Sequence, residues 1–103
     1  MKILALEKET PGLTPAQFKP FLKAEAARAW ELQQAGIIRE LYFRPDEHTA
    51  VLILECDTLD EAQSFLATLP LVREGLITFD LIPLAPYSGF ARLFDKKAAF
   101  YCE

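Results

Sequence analysis

The chain has 103 residues, 51% of them hydrophobic and eight of them Phe, with a formal net charge of −4. That length holds one domain, and the apolar share exceeds what a small monomer buries by itself, which favours covering a second surface with another copy. The Lys and Arg residues are scattered among acidic ones and form no stripe that could follow a phosphate backbone, so nucleic acid is not an expected partner.

The opening run Met1–Leu6 is apolar but stops at Glu7 and Lys8, too short for a signal peptide's hydrophobic region or a membrane span. The expectation is a cytoplasmic protein with no membrane partner. Lys2–Lys8 (KILALEK) alternates loosely and reads as a first strand, ended by Thr10, Pro11 and Gly12.

Residues 14–36 (TPAQFKPFLKAEAARAWELQQAG) carry the longest helical period. Thr14 and Gln17 make a capping-box pair with Pro15 at the first helical position, Pro20 predicts a kink near its own position, and Gly36 supplies the terminating residue. At about 100° per residue, Phe18, Leu22, Ala29 and Leu32 share one stripe, with Phe21 at its edge and Glu25 near its middle. A carboxylate in an apolar stripe is costly when ionised and unpaired. Glu25 is therefore either a structural partner for a buried cation or a group that handles a proton.

Ile37–Arg44 and Thr49–Cys56 read as two strands joined by the polar link Pro45–His48, a hairpin. In the second, the sets Val51/Ile53 and Ala50/Leu52/Leu54 are both apolar, so it is covered on two faces. Thr58 and Glu61 form the next capping box, and Leu59, Ala62, Phe65, Leu66 and Leu69 the stripe of a second helix that Pro70 should stop. Leu76–Leu81 is a fourth strand, closed off by Pro83 and Pro86. The order β-α-β-β-α-β is the split βαβ arrangement, an α+β ferredoxin-like fold whose four-stranded antiparallel sheet carries both helices on one face. The bare face predicts a dimeric α+β barrel.

The fold domain should span residues 1–86. The tail, residues 87–103, is aromatic, with Tyr87, Phe90, Phe94, Phe100 and Tyr101. It should pack on its own sheet or a partner's through a helical turn at Phe90, Leu93 and Phe94, and Tyr87 or Phe90 is placed to close the mouth of a pocket.

Other residues with chemical potential are few. Arg39 alternates with Ile37, Leu41 and Phe43, so its guanidinium is expected in an apolar strand face, as a partner for Glu25 or a clamp for a substrate carboxylate. Tyr42 lies on the opposite face with Ile38 and Glu40. His48, at the end of the hairpin link, reads first as a surface imidazole and second as a general base. Cys56 reads as a small core residue and Cys102 has no evident role; with a single His and no Cys-x-x-Cys spacing, no metal site can be written. The four glycines are isolated, so there is no phosphate loop and no cofactor is expected.

The strand order, the block Gly36-x-x-Arg39-x-Leu41-Tyr42 and the Leu69-Pro70-Leu71 after helix two together resemble the muconolactone isomerase family over roughly residues 1–86. The resemblance implies a dimeric ferredoxin-like barrel assembled into larger rings, and movement of a proton on a small unsaturated lactone in a pocket between subunits. It implies Glu25 as the catalytic carboxylate and puts the family's arginine at Arg39, with itself and a small organic acid or lactone as partners; Tyr42 and Tyr87, read from their own positions as aromatics with a polar tip, join Arg39 as the expected substrate-binding residues. Where the isomerases follow the helix-one glutamate with a lysine, this chain has Ala26 and Ala27, and Phe43 replaces a basic residue. A non-catalytic small-molecule-binding or interaction protein of the same barrel class is the alternative. A monooxygenase of that class has less behind it, since a lone His48 on a turn is poorly placed for haem ligation and nothing else in the sequence marks an oxygen chemistry.

Overall fold

The computed structural model describes residues 1–94. Its elements run β1 (Lys2–Glu9), α1 (Pro15–Phe18), a 3₁₀ turn (Lys19–Phe21), α2 (Leu22–Gln34), β2 (Ile38–Arg44), β3 (Thr49–Glu55), α3 (Leu59–Leu66), α4 (Pro70–Arg73), β4 (Ile77–Leu84) and a second 3₁₀ turn (Gly89–Leu93). The four strands form one antiparallel sheet in the order β2-β3-β1-β4, the split βαβ topology.

The core is the helix-facing row of each strand. Ile3 and Ala5 of β1, Leu52 and Leu54 of β3 and Ile38 of β2 are buried against Leu32 of α2 and Ala62, Leu66 and Leu69 of the α3 region. Each large aliphatic side chain there is worth about 1.5–3 kcal/mol of burial. Cys56 is buried beside them, and burial pushes its thiol pKa up, as expected of a core cysteine.

Pro20 acts as expected. The first helical segment is broken into α1, a 3₁₀ turn containing Pro20, and α2, because proline cannot donate to the preceding turn. Thr14 N–H donates to Gln17 Oε1 at 2.7 Å, the expected N-terminal contact. Gly36, at φ +80°, ends α2 with Ile37 N–H donating to the Leu32 carbonyl and Gly36 N–H to that of Gln33, the paired bonds of a Schellman motif.

Three sequence expectations need correction. Pro70 does not simply stop helix two: α3 ends at Leu66, and Pro70 opens the separate turn α4, where its missing N–H costs nothing. Pro83 does not close β4, which continues to Leu84 with Pro83 opposite Ile3; β4 is an edge strand, the place where a sheet tolerates proline. The third correction concerns β2. Its register jumps between Ile38, opposite Leu54, and Glu40, opposite Ile53, so Arg39 is the extra residue of a β-bulge. Strict alternation puts Arg39 with Leu41 and Phe43, whereas the bulge hands that face to Ile38.

The expected helical turn after the sheet exists over Gly89–Leu93, but Phe90, Leu93 and Phe94 are 66%, 76% and 83% exposed, so it does not pack on its own sheet. Phe100, Tyr101 and Cys102 lie outside the described residues. No helix among the described residues is long and apolar enough to cross a membrane.

Candidate functional site

Helix α2 buries one residue completely, Leu32. The rest of its apolar stripe stands off the sheet and roofs a cleft of about 660 Å³, within the usual size of a small-molecule site, roughly 300–1,000 Å³. Phe18, Leu22, Glu25, Ala29 and Trp30 form the roof; Ile38, Leu41, Phe43, Ala50, Leu52 and Phe79 form the floor, and Leu69 and Leu71 the end wall. Four of the five stripe residues read from the sequence, Phe18, Leu22, Glu25 and Ala29, therefore face a hollow.

Glu25 stands half-buried in that wall, and its Oε1 accepts a hydrogen bond from Leu71 N–H at 2.9 Å. Burial raises its pKa above the ordinary carboxylate value, and the Leu71 bond partly opposes the rise. The arrangement holds one oxygen still and leaves the other free of protein partners among the described residues. A base that must find a C–H bond benefits from that fixed geometry.

Arg39 does not meet Glu25. Its Nε donates to the Gly36 carbonyl at 2.7 Å, and its charge acts on Glu55 instead. The bulge is the cause, since it turns Arg39 out of the row that lines the cleft. Tyr42 projects from the other face of the sheet, where its hydroxyl donates to Glu40 Oε1 at 2.7 Å. Tyr87 packs edge-on against Phe90 with ring centroids 4.9 Å apart, also away from the cleft. Of the four site residues read from the sequence, the described chain brings Glu25 alone to the cavity.

His48 does line it. It occupies the left-handed region at φ +56° in the hairpin link, its N–H donates to the Arg44 carbonyl at 2.8 Å, and its ring lies 6.1 Å from that of Phe43. Asn or Gly would ordinarily be favoured at such a position.

Two carboxylates escaped the sequence reading. Glu7 and Glu9 continue the helix-facing row Ile3, Ala5 of β1 and line the cavity. Glu7 is half-buried and its Oε1 accepts from Ala50 N–H at 2.7 Å. Burial raises its pKa, the Ala50 bond works against the rise, and the charges of Glu9 and Glu25 add to it. Carrying the period-two alternation of β1 two residues past Ala5 would have found it. Among the described residues, no group of three or more His, Cys, Asp or Glu is arranged to hold a metal.

Sheet, helices and hollow together define a ferredoxin-like α+β domain with a ligand-sized cavity between sheet and first helix. The chain belongs to the muconolactone delta-isomerase family, whose model matches residues 5–89. Among solved structures, a muconolactone isomerase superposes with a TM-score of 0.70 at 18% identity, covering 85% of this chain and 92% of that one. A 5-chloro-2-hydroxyhydroquinone dehydrochlorinase from Burkholderia phenoliruptrix AC1100, solved with 2,5-dihydroxybenzoquinone, gives 0.65 at 21% identity over 82% and 94%. No curated protein matches the sequence significantly.

Proposed function

We propose that this chain is a small isomerase that moves a proton on an unsaturated lactone or similar carbonyl compound, with Glu25 as the base. The observation that carries this reading is a half-buried carboxylate, bonded to one backbone N–H and facing a ligand-sized apolar cavity. Glu25 would take the proton from a carbon next to the carbonyl, giving a dienolate and a neutral carboxyl, and return it to a different carbon. The double bond moves, and no oxidant or reductant is needed. The raised pKa supports the return step, because a protonated carboxyl survives closer to neutral pH.

A second reading has its own observation. Neither Arg39 nor any other Lys or Arg of the described residues lines the cavity to stabilise an enolate, which favours a module that binds such compounds without turning them over. Following the absorbance change of an unsaturated lactone with wild type and Glu25→Gln separates the two. The isomerase reading expects the rate to fall about 10²–10⁴-fold in the variant; equal rates in both remove Glu25 from any mechanism.

The working form we infer is a homodimer or larger ring built on the domain of residues 1–86. The sheet face away from the helices carries Tyr42, Ile82 and Leu84 at 58%, 41% and 40% exposed, and Tyr87, Phe90 and Leu93 follow. Exposed apolar side chains in that number support cover by a second copy, in which Tyr42 and Tyr87 would meet the partner.

A further inference from the structure

We propose that the cavity takes an uncharged ring compound that donates a hydrogen bond and turns carboxylates away, with Glu7 as the residue that makes this choice. The inference rests on the reading of the cleft as a substrate site and deepens it by naming the charge of the ligand.

The acidic residues on the cavity wall are Glu7, Glu9 and Glu25, and the one side chain among the described lining residues able to carry positive charge is His48. They come from three directions: Glu7 and Glu9 from β1 in the floor, Glu25 from α2 in the roof, and His48 from the hairpin link. Arg39, the residue the sequence offered as an anion clamp, is tied to the Gly36 carbonyl outside the cavity. A ligand carboxylate would be desolvated between apolar walls beside like charge, the arrangement by which binding sites reject a wrong partner.

The same groups suit a neutral donor. Glu7 Oε1 is held by Ala50 N–H and Glu25 Oε1 by Leu71 N–H, so each carboxylate presents its second oxygen from a fixed position. One can accept from a ligand hydroxyl while the other faces the ring. Hydrogen bonds to a charged acceptor in a half-buried site are stronger than neutral ones, and the flat apolar walls of Phe43, Phe79 and Trp30 fit a ring between them. Glu7 thus acts as a specificity-determining residue, distinct from Glu25, which abstracts the proton.

Trp30 is the single tryptophan and lines the cavity, so its fluorescence reports binding in the full chain. The test titrates two unsaturated five-membered lactones at pH 8 and low salt, one bearing a hydroxymethyl group and one a carboxymethyl group, against wild type and Glu7→Gln. Glutamine keeps an oxygen for Ala50 N–H, and circular dichroism checks that the variant folds. The expected result is that wild type binds the hydroxymethyl compound at least about tenfold more tightly, and that Glu7→Gln shrinks this preference several-fold. Equal or tighter binding of the carboxymethyl compound by wild type overturns the inference and leaves the Glu25 reading standing. A preference unchanged in Glu7→Gln removes Glu7 from the choice. Binding of neither compound at millimolar concentration overturns both this inference and the substrate-site reading beneath it.

Discussion

The two helical layers over this sheet differ in what lies beneath them. Helix α3 and turn α4 bury Ala62, Leu66, Pro70 and Leu71, with Leu69 buried between them, whereas the longer α2 buries Leu32 alone. Burial against the sheet is what holds an amphipathic helix in a protein, so the α3–α4 side acts as the anchor and the α2 side as an arch. Pro20 and the break it forces let α1 and α2 stand off the strands, and the hollow follows. A small domain with a modest core can leave a cavity under one helix when the other is tightly packed.

Changes on the two sides should therefore part company, activity on one and stability on the other. Glu25→Gln sits under the arch and carries the largest expected effect, the 10²–10⁴-fold fall in isomerisation rate, with the folded state intact by thermal melting. Leu66→Ala sits under the anchor and should cost about 2–5 kcal/mol in denaturant unfolding, with kcat per folded molecule unchanged. Were Leu66→Ala to lose activity without losing stability, the division would be wrong. Ala29→Phe fills the arch from the roof; it should abolish binding of ring compounds at a cost of no more than about 1–3 kcal/mol of stability, since Ala29 touches the core cluster on one side and the cavity on the other. Thr58→Ala removes the hydroxyl that accepts from Glu61 N–H at 3.0 Å and should cost about 1 kcal/mol on the anchor side, with ligand binding untouched.

The pH dependence of stability sharpens the same contrast. Burial raises the pKa of Glu7 and Glu25 on the cavity side, so the folded chain keeps their protons at pH values where the unfolded chain has released them. Their contribution is fully present below the unfolded pKa and is lost as pH rises through the folded values. Glu55, lowered by its 2.6 Å bond to the N-terminal ammonium, and Asp46, lowered by Arg44, act in the opposite sense at lower pH. Melting temperature of wild type compared with Glu7→Gln/Glu25→Gln should show wild type losing ground as pH rises above the ordinary carboxylate range, and parallel curves would show that the cavity does not desolvate these groups.

The fold was legible because its signals are local. Capping pairs at Thr14 and Thr58, the glycine at 36 and the alternation of Ala50–Leu54 each mark an element within a few residues. Glu25 was legible for a related reason, since a charge inside an apolar stripe breaks the period it sits in. Arg39 was misplaced because a bulge inserts one residue into β2 and reverses the faces after it, and nothing in Ile37–Arg44 marks that insertion. Glu7 was missed although it lies inside the strand read over Lys2–Lys8, because the alternation of Ile3 and Ala5 was not carried on to give Glu7 a face. In the structure that end of the strand lies under the arch of α1 and α2 and forms part of the cavity floor. Tyr42 and Tyr87 are aromatics with a polar tip, a property that suits a binding site and an interface equally.

The central claim is that Glu25 exchanges a proton with carbon in a bound ligand. Incubating a neutral unsaturated lactone with the full chain in D₂O and recording proton NMR tests it most directly. The account predicts deuterium entering the carbon next to the carbonyl with wild type and at least about 100-fold more slowly with Glu25→Gln. Incorporation at the same rate in both, or in neither above the buffer rate, would contradict it.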